Sequence, residues 1–172
     1  MSILVIGNAA PLALDLASAL LARGERVVLL EAPDEAVDAP TGAIPVALDI
    51  ADDEAMIRLA DTMVDEDVTA VVHIALDASG PVFAKRPLRA YRRGLAGLGN
   101  LLAAMNEAGV IRLVQATPSS GEPLSGDSLA DRVEAASEWM MTDCERAWGL
   151  DFAVVRAGTS DDLLAALGAS GA

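Results

Sequence analysis

A chain of 172 residues with 53% apolar side chains is long enough for one domain with a full core, which excludes a disordered polymer. Its 26 acidic against 12 basic side chains leave a net charge of −14, which excludes nucleic acid or anionic lipid held by charge alone. The lone Cys144 forms no internal disulfide, the start Met1-Ser2-Ile3 has no basic leader region, and no uncharged apolar run spans a bilayer, so a cytoplasmic, non-membrane protein is expected.

Short aliphatic and β-branched runs alternate with longer Ala/Leu-rich stretches, and no internal repeat is present. Ile3 to Ile6 predicts a buried strand, Pro11 to Arg23 a helix with proline in its first turn, and Arg26 to Leu30 a second strand. Ala43 to Leu48 reads as a third strand. Asp52 to Val64 reads as a helix whose acidic opening complements the helix dipole, and Thr69 to Ala75 as a fourth strand. Leu88 to Ala108 is a helix stopped by Gly109, and Ile111 to Thr117 a strand. Leu129 to Trp148 is a helix stopped by Gly149, and Phe152 to Arg156 a sixth strand. A short helix follows Ser160 in the tail 159–172, and Thr117 to Ser128 is a connecting loop. This rhythm predicts a single α/β domain over residues 1–172. It is a doubly wound parallel sheet of six strands in the order 3-2-1-4-5-6, with its ligand crevice at the carboxyl ends of the strands.

After the first strand comes Gly7-Asn8-Ala9-Ala10-Pro11-Leu12-Ala13, where a dinucleotide-binding domain needs a tight turn and bare backbone amides facing a pyrophosphate. The three glycine positions of such a turn read Gly7, Ala10 and Ala13, and the Ala10 methyl points where the backbone approaches the phosphates. Gly7, Ala10, Pro11 and Leu12 are therefore candidate cofactor contacts. Glu31 ends the second strand about twenty residues further on, where a carboxylate accepts from both ribose hydroxyls and repels a 2′-phosphate, favouring NAD over NADP. A plainer reading stands beside this one: Gly7 merely turns the chain into its helix, and Glu31 is one more acid on an acidic surface.

The succession Ile3-Leu4-Val5-Ile6-Gly7, Leu48-Asp49-Ile50, Val71-Val72-His73-Ile74-Ala75 and Gly109-Val110-Ile111-Arg112-Leu113-Val114 resembles the extended short-chain dehydrogenase/reductases, which include the sugar-nucleotide epimerases and dehydratases. The likeness runs from Ile3 to about Gly158 and implies a Rossmann-like fold with NAD as cofactor. It adds Asp49 and Ile50 as contacts to the adenine and Ala75 beside the ribose and phosphates. In the resembling family a Tyr-x-x-x-Lys pair exchanges protons, the lysine lowering the tyrosine pKa. Matching Ala135-Ala136-Ser137-Glu138 to the residues after that lysine puts Ala130 at the tyrosine and Glu134 at the lysine position. Ala130 has no ionisable group, and a carboxylate at Glu134 raises rather than lowers the pKa of a neighbouring phenol. The relay asparagine falls on Gly94, and the orienting serine or threonine on or near Thr117. Residues 159–172 are too few for the family's substrate lobe.

The sole tyrosine, Tyr91, and sole lysine, Lys85, are candidates for a relocated pair, so Tyr91 and Thr117 are the catalytic candidates. His73, the sole histidine, lies in an apolar strand and reads as a satisfied core residue rather than a triad member. No spacing of His, Cys and carboxylates indicates a metal site. Residues 1–84 hold 15 acids and three bases, whereas Lys85, Arg86, Arg89, Arg92 and Arg93 crowd into nine positions. That cluster is a solvated face, a phosphate or carboxylate holder, or a dock for the acidic half of another copy. The helices 88–108 and 129–148 carry apolar residues on more than one face: Leu95, Leu98, Leu102 and Met105 on the first, and Val133, Ala136, Trp139 and Met140 on the second. A homodimer through these helices is expected, with packing against a larger fused or partner protein as the alternative. The functional expectation is a catalytically silent dinucleotide-binding, sensing or scaffold module. Two alternatives remain open: an NAD-dependent oxidoreductase or epimerase with relocated groups, and a structural domain that binds no nucleotide.

Overall fold

The computed structural model describes residues 1–7, 11–33, 38–74, 85–118 and 129–169, with only the backbone at Pro118, Leu129, Ala130 and Ala157. Six strands are present among them: β1 (Ser2–Ile6), β2 (Arg26–Glu31), β3 (Ile44–Ala47), β4 (Val68–Ile74), β5 (Arg112–Pro118) and β6 (Asp151–Ala157). Five helices connect and close them: α1 (Pro11–Ala22), α2 (Ala55–Asp65), α3 (Pro87–Ala108), α4 (Leu129–Trp148) and α5 (Ser160–Gly168). All strand pairs are parallel and the order is β3-β2-β1-β4-β5-β6, as the sequence rhythm predicts.

Alternation along each strand divides the core between two faces. Leu4, Ile6, Val28, Leu30, Val71 and Leu113 pack with α2, α3 and α4, while Val5, Val27, Leu29, Val72 and Val114 pack with α1 and α5. Strands buried on both faces read as unbroken aliphatic runs, which is why β1, β2 and β4 are so plain in the sequence. In α1 the inward stripe is Ala13, Leu16, Ala17 and Leu20. Gly109 ends α3 in the left-handed conformation at φ 71°, and Val110 N–H returns to the Met105 carbonyl at 2.9 Å. Three residues after that cap, Arg112 at the start of β5 ties three elements together. Its guanidinium pairs with Asp151 Oδ1 of β6 at 2.8 Å and donates to the Ala166 carbonyl of α5.

Two expectations are corrected. Helix α2 begins at Ala55, not Asp52: the chain first makes turns in which Asp52 N–H reaches the Asp49 carbonyl and Ala55 N–H the Asp52 carbonyl. Asp52, Asp53 and Glu54 therefore precede the first helical residue, and no side chain caps it. The apolar face read on α3 is not surplus, because Leu98, Leu102 and Met105 are core residues between the sheet and the neighbouring helices. On α4, by contrast, Trp139 remains 74% exposed.

Candidate functional site

Strand order reverses between β1 and β4, and in an open α/β sheet the crevice lies outside the carboxyl ends at such a reversal. Gly7 leaves β1 at that point. A Cβ there would stand 2.9 Å from Ala13 Cβ and 3.2 Å from Ile74 Cβ, so the exit of β1 is squeezed between α1 and β4. Close packing thus demands glycine at this position. Pro11 opens α1 on the same edge, exposed, and Leu12 is half-buried against the α1/α5 core. Ala10 and Ala75 lie outside the described residues.

Glu31 is the last residue of β2 and half-buried. Its Oε1 is buried with no hydrogen-bond partner among the described residues. A carboxylate oxygen in that position is costly until a donor reaches it. Asp49 follows β3 and is fully engaged: Oδ1 accepts from Ala51 N–H at 3.1 Å, and Oδ2 from the Arg93 guanidinium of α3. The basic cluster is thereby divided, Arg93 binding Asp49 while Lys85, Arg86, Arg89 and Arg92 are exposed. Ile50 packs against α3, where a Cβ on Gly97 would meet its Cγ1 at 2.8 Å. Asn100, which sequence reasoning did not single out, donates to the Ile50 carbonyl at 2.8 Å and the Asp52 carbonyl at 2.9 Å. Its signal was an amide three residues after Gly97, on a helix face that turns inward.

Farther along the edge, His73 of β4 is buried, and its Nδ1–H donates to Gln115 Oε1 of β5 at 2.9 Å. Burial holds the imidazole below its ordinary pKa, so it is the satisfied core histidine the sequence predicts. Thr117 ends the same face of β5, and its buried Oγ1 has no partner among the described residues. Beside it in register is Arg156 of β6, whose guanidinium lies 3.5 Å from Glu134 Oε1 of α4. Arg156 was missed as a partner of Glu134. Tyr91 sits half-buried near the start of α3, and no hydrogen bond joins it to Thr117 Oγ1. Among the described residues no group of three or more His, Cys, Asp or Glu is placed to hold a metal ion, and no helix is long and apolar enough to cross a membrane.

A search of curated proteins found no match. Solved structures share the fold closely. UDP-glucose 4-epimerase from Thermus thermophilus, in complex with NAD, matches at 26% identity and TM-score 0.76, over 91% of this chain and 54% of that one. The enzyme of the same name from Thermotoga maritima, with UDP-glucose, matches at 18% identity and TM-score 0.78, over 91% and 55%. L-threonine dehydrogenase from Clostridium difficile matches at 19% and 0.72, over 90% and 52%. The chain thus spans about half the length of these structures. The family model described as the NAD dependent epimerase/dehydratase family matches residues 3–160, nearly the whole sheet and its helices. With that extent of match the chain belongs to the NAD dependent epimerase/dehydratase family.

Proposed function

We propose that the chain holds NAD at the carboxyl edge of its sheet without carrying out proton transfer, and serves as a nucleotide-binding, sensing or scaffold module. The observation that carries the binding half of this reading is Glu31 Oε1, a buried acceptor with no donor among the described residues, where ribose hydroxyls would supply two. Gly7 and the amino end of α1 would receive the pyrophosphate. Asp49 would meet the base while sharing its carboxylate with Arg93. NAD, when bound, supplies a hydride acceptor, and turnover then needs a proton-handling partner. Glu134 and Ala130 offer none at the positions where the family keeps it, and the Glu134–Arg156 ion pair occupies the lysine position instead.

A second reading, an NAD-dependent oxidoreductase or sugar-nucleotide epimerase/dehydratase with relocated groups, draws support from the buried, unpaired Thr117 hydroxyl, with Tyr91 as its proton carrier. For either reading we propose a homodimer through α3 and α4, supported not by the buried stripe of α3 but by the exposed Leu88 at its start and the exposed Trp139 of α4; further chain of a longer protein is the other occupant of that face.

Titration of NAD, NADH, NADP and NADPH against melting temperature tests the proposal. A ligand at 100 times its dissociation constant stabilises by about 2.7 kcal/mol, which moves a domain of this size by several degrees. The expected result is a shift with NAD and NADH, little with the phosphorylated forms, and none in Glu31→Ala. Absence of any shift with the parent chain leaves the purely structural domain. Hydride transfer lost in Tyr91→Phe establishes the second reading.

A further inference from the structure

Three side chains on the β5–β6 side of the edge take no part in holding the nucleotide. Thr117 is only 9% exposed, and its Oγ1 has no hydrogen-bond partner among the described residues. Glu134 of α4 brings a second buried oxygen in the same condition, Oε1, with the Arg156 guanidinium 3.5 Å away but no hydrogen bond between them. Thr117 and Arg156 are register neighbours, and strand alternation turns both toward the sheet face covered by α4. A buried hydroxyl and a buried carboxylate oxygen, linked through Arg156 and each without a hydrogen bond among the described residues, are a double cost, which folded proteins carry where a ligand supplies the partners.

We propose that Thr117, Glu134 and Arg156 form a binding corner for a small anion that also carries a hydrogen-bond donor, of the hydroxycarboxylate class. The planar guanidinium matches a carboxylate. The ligand hydroxyl donates to Glu134 Oε1, and the Thr117 hydroxyl donates to a ligand oxygen. Glu134 sets the selectivity: a plain carboxylate leaves its oxygen unanswered, and a phosphate dianion meets its charge. No cofactor enters this argument, so it stands or falls apart from the nucleotide reading.

The test titrates the full chain, without nucleotide, with glycolate and with acetate, followed by amide chemical shifts. Glycolate is expected to bind about tenfold more tightly than acetate, the worth of one hydrogen bond to a charged group. Thr117→Val and Arg156→Gln each weaken glycolate by at least about tenfold. Arg156→Lys, which keeps the charge next to Glu134, retains weakened binding and shows that the corner remains folded. In the free protein Thr117→Val raises the melting temperature, because it removes a buried unpaired hydroxyl, whereas loss of a structural hydrogen bond lowers it. Equal affinity for the two acids, binding of neither, or a Thr117→Val variant that melts below the parent overturns the proposal.

Discussion

At Gly7, packing and ligand access call for the same residue. With Ala13 Cβ 2.9 Å and Ile74 Cβ 3.2 Å from the site of an added methyl, Gly7→Ala overpacks the exit of β1. It is expected to cost about 1–3 kcal/mol, read as a lower urea midpoint, and Ala13→Gly in the same chain recovers part of the loss. His73 gives a second residue-scale expectation. Burial holds its pKa below the ordinary value, against the smaller opposing pull of Gln115, so the folded chain keeps the ring neutral while the unfolded chain titrates near pH ~6.5. Stability is complete above that pH and falls as pH drops below it, until the lower folded-state value is reached. The slope is at most about 1.4 kcal/mol per pH unit. Because no other histidine is present, urea midpoints between about pH 7 and 5.5 report this residue, and His73→Gln flattens the slope.

Helix α3 is the element that fixes the carboxyl edge of the sheet beside β3, because it is fastened to the connection carrying Asp49. Asn100 holds two carbonyls of that connection, Arg93 holds Asp49 itself, and Gly97 lets the helix backbone close on Ile50. Gly97→Ala is expected to destabilise by about 1–3 kcal/mol and to weaken NAD binding, since Ile50 Cγ1 would stand 2.8 Å from the new methyl. Ile50→Ala should cancel much of that cost, and a double-mutant cycle in urea measures the coupling. The elements themselves were legible because runs buried on both faces, such as Val27 to Leu30, have no polar alternation to confuse with a surface helix. The start of α2 was not, because three consecutive acids satisfy a dipole argument whether they form the first turn or precede it. Glu31 was legible as a candidate from its distance along the chain to the glycine turn, but the burial of its unpartnered Oε1, which depends on how neighbouring elements close over the end of β2, was not. The pairs Arg93–Asp49 and Arg156–Glu134 were not, because each depends on how a helix is rotated against the sheet, and no local pattern encodes that rotation.

At the scale of the whole molecule, charge would decide how copies in the proposed dimer meet. Each carries a net charge of −14, so two copies pressed together through α3 and α4 repel, and the burial of Trp139 has to overcome that repulsion. The competing arrangement sets the exposed Lys85, Arg86, Arg89 and Arg92 of one copy against the acidic first half of another, which is an attraction. Salt screens both, with a Debye length of about 10 Å at 0.1 M, but with opposite effect. In the apolar arrangement added salt weakens a repulsion and tightens the dimer; in the charged one it weakens an attraction and loosens it. Sedimentation equilibrium across a salt series therefore separates them. The expected outcome is a dimer that tightens with salt and dissociates in Trp139→Glu, which places a further acid on an apolar contact. Loosening with salt, together with a Trp139→Glu variant that remains dimeric, assigns the contact to the basic cluster instead.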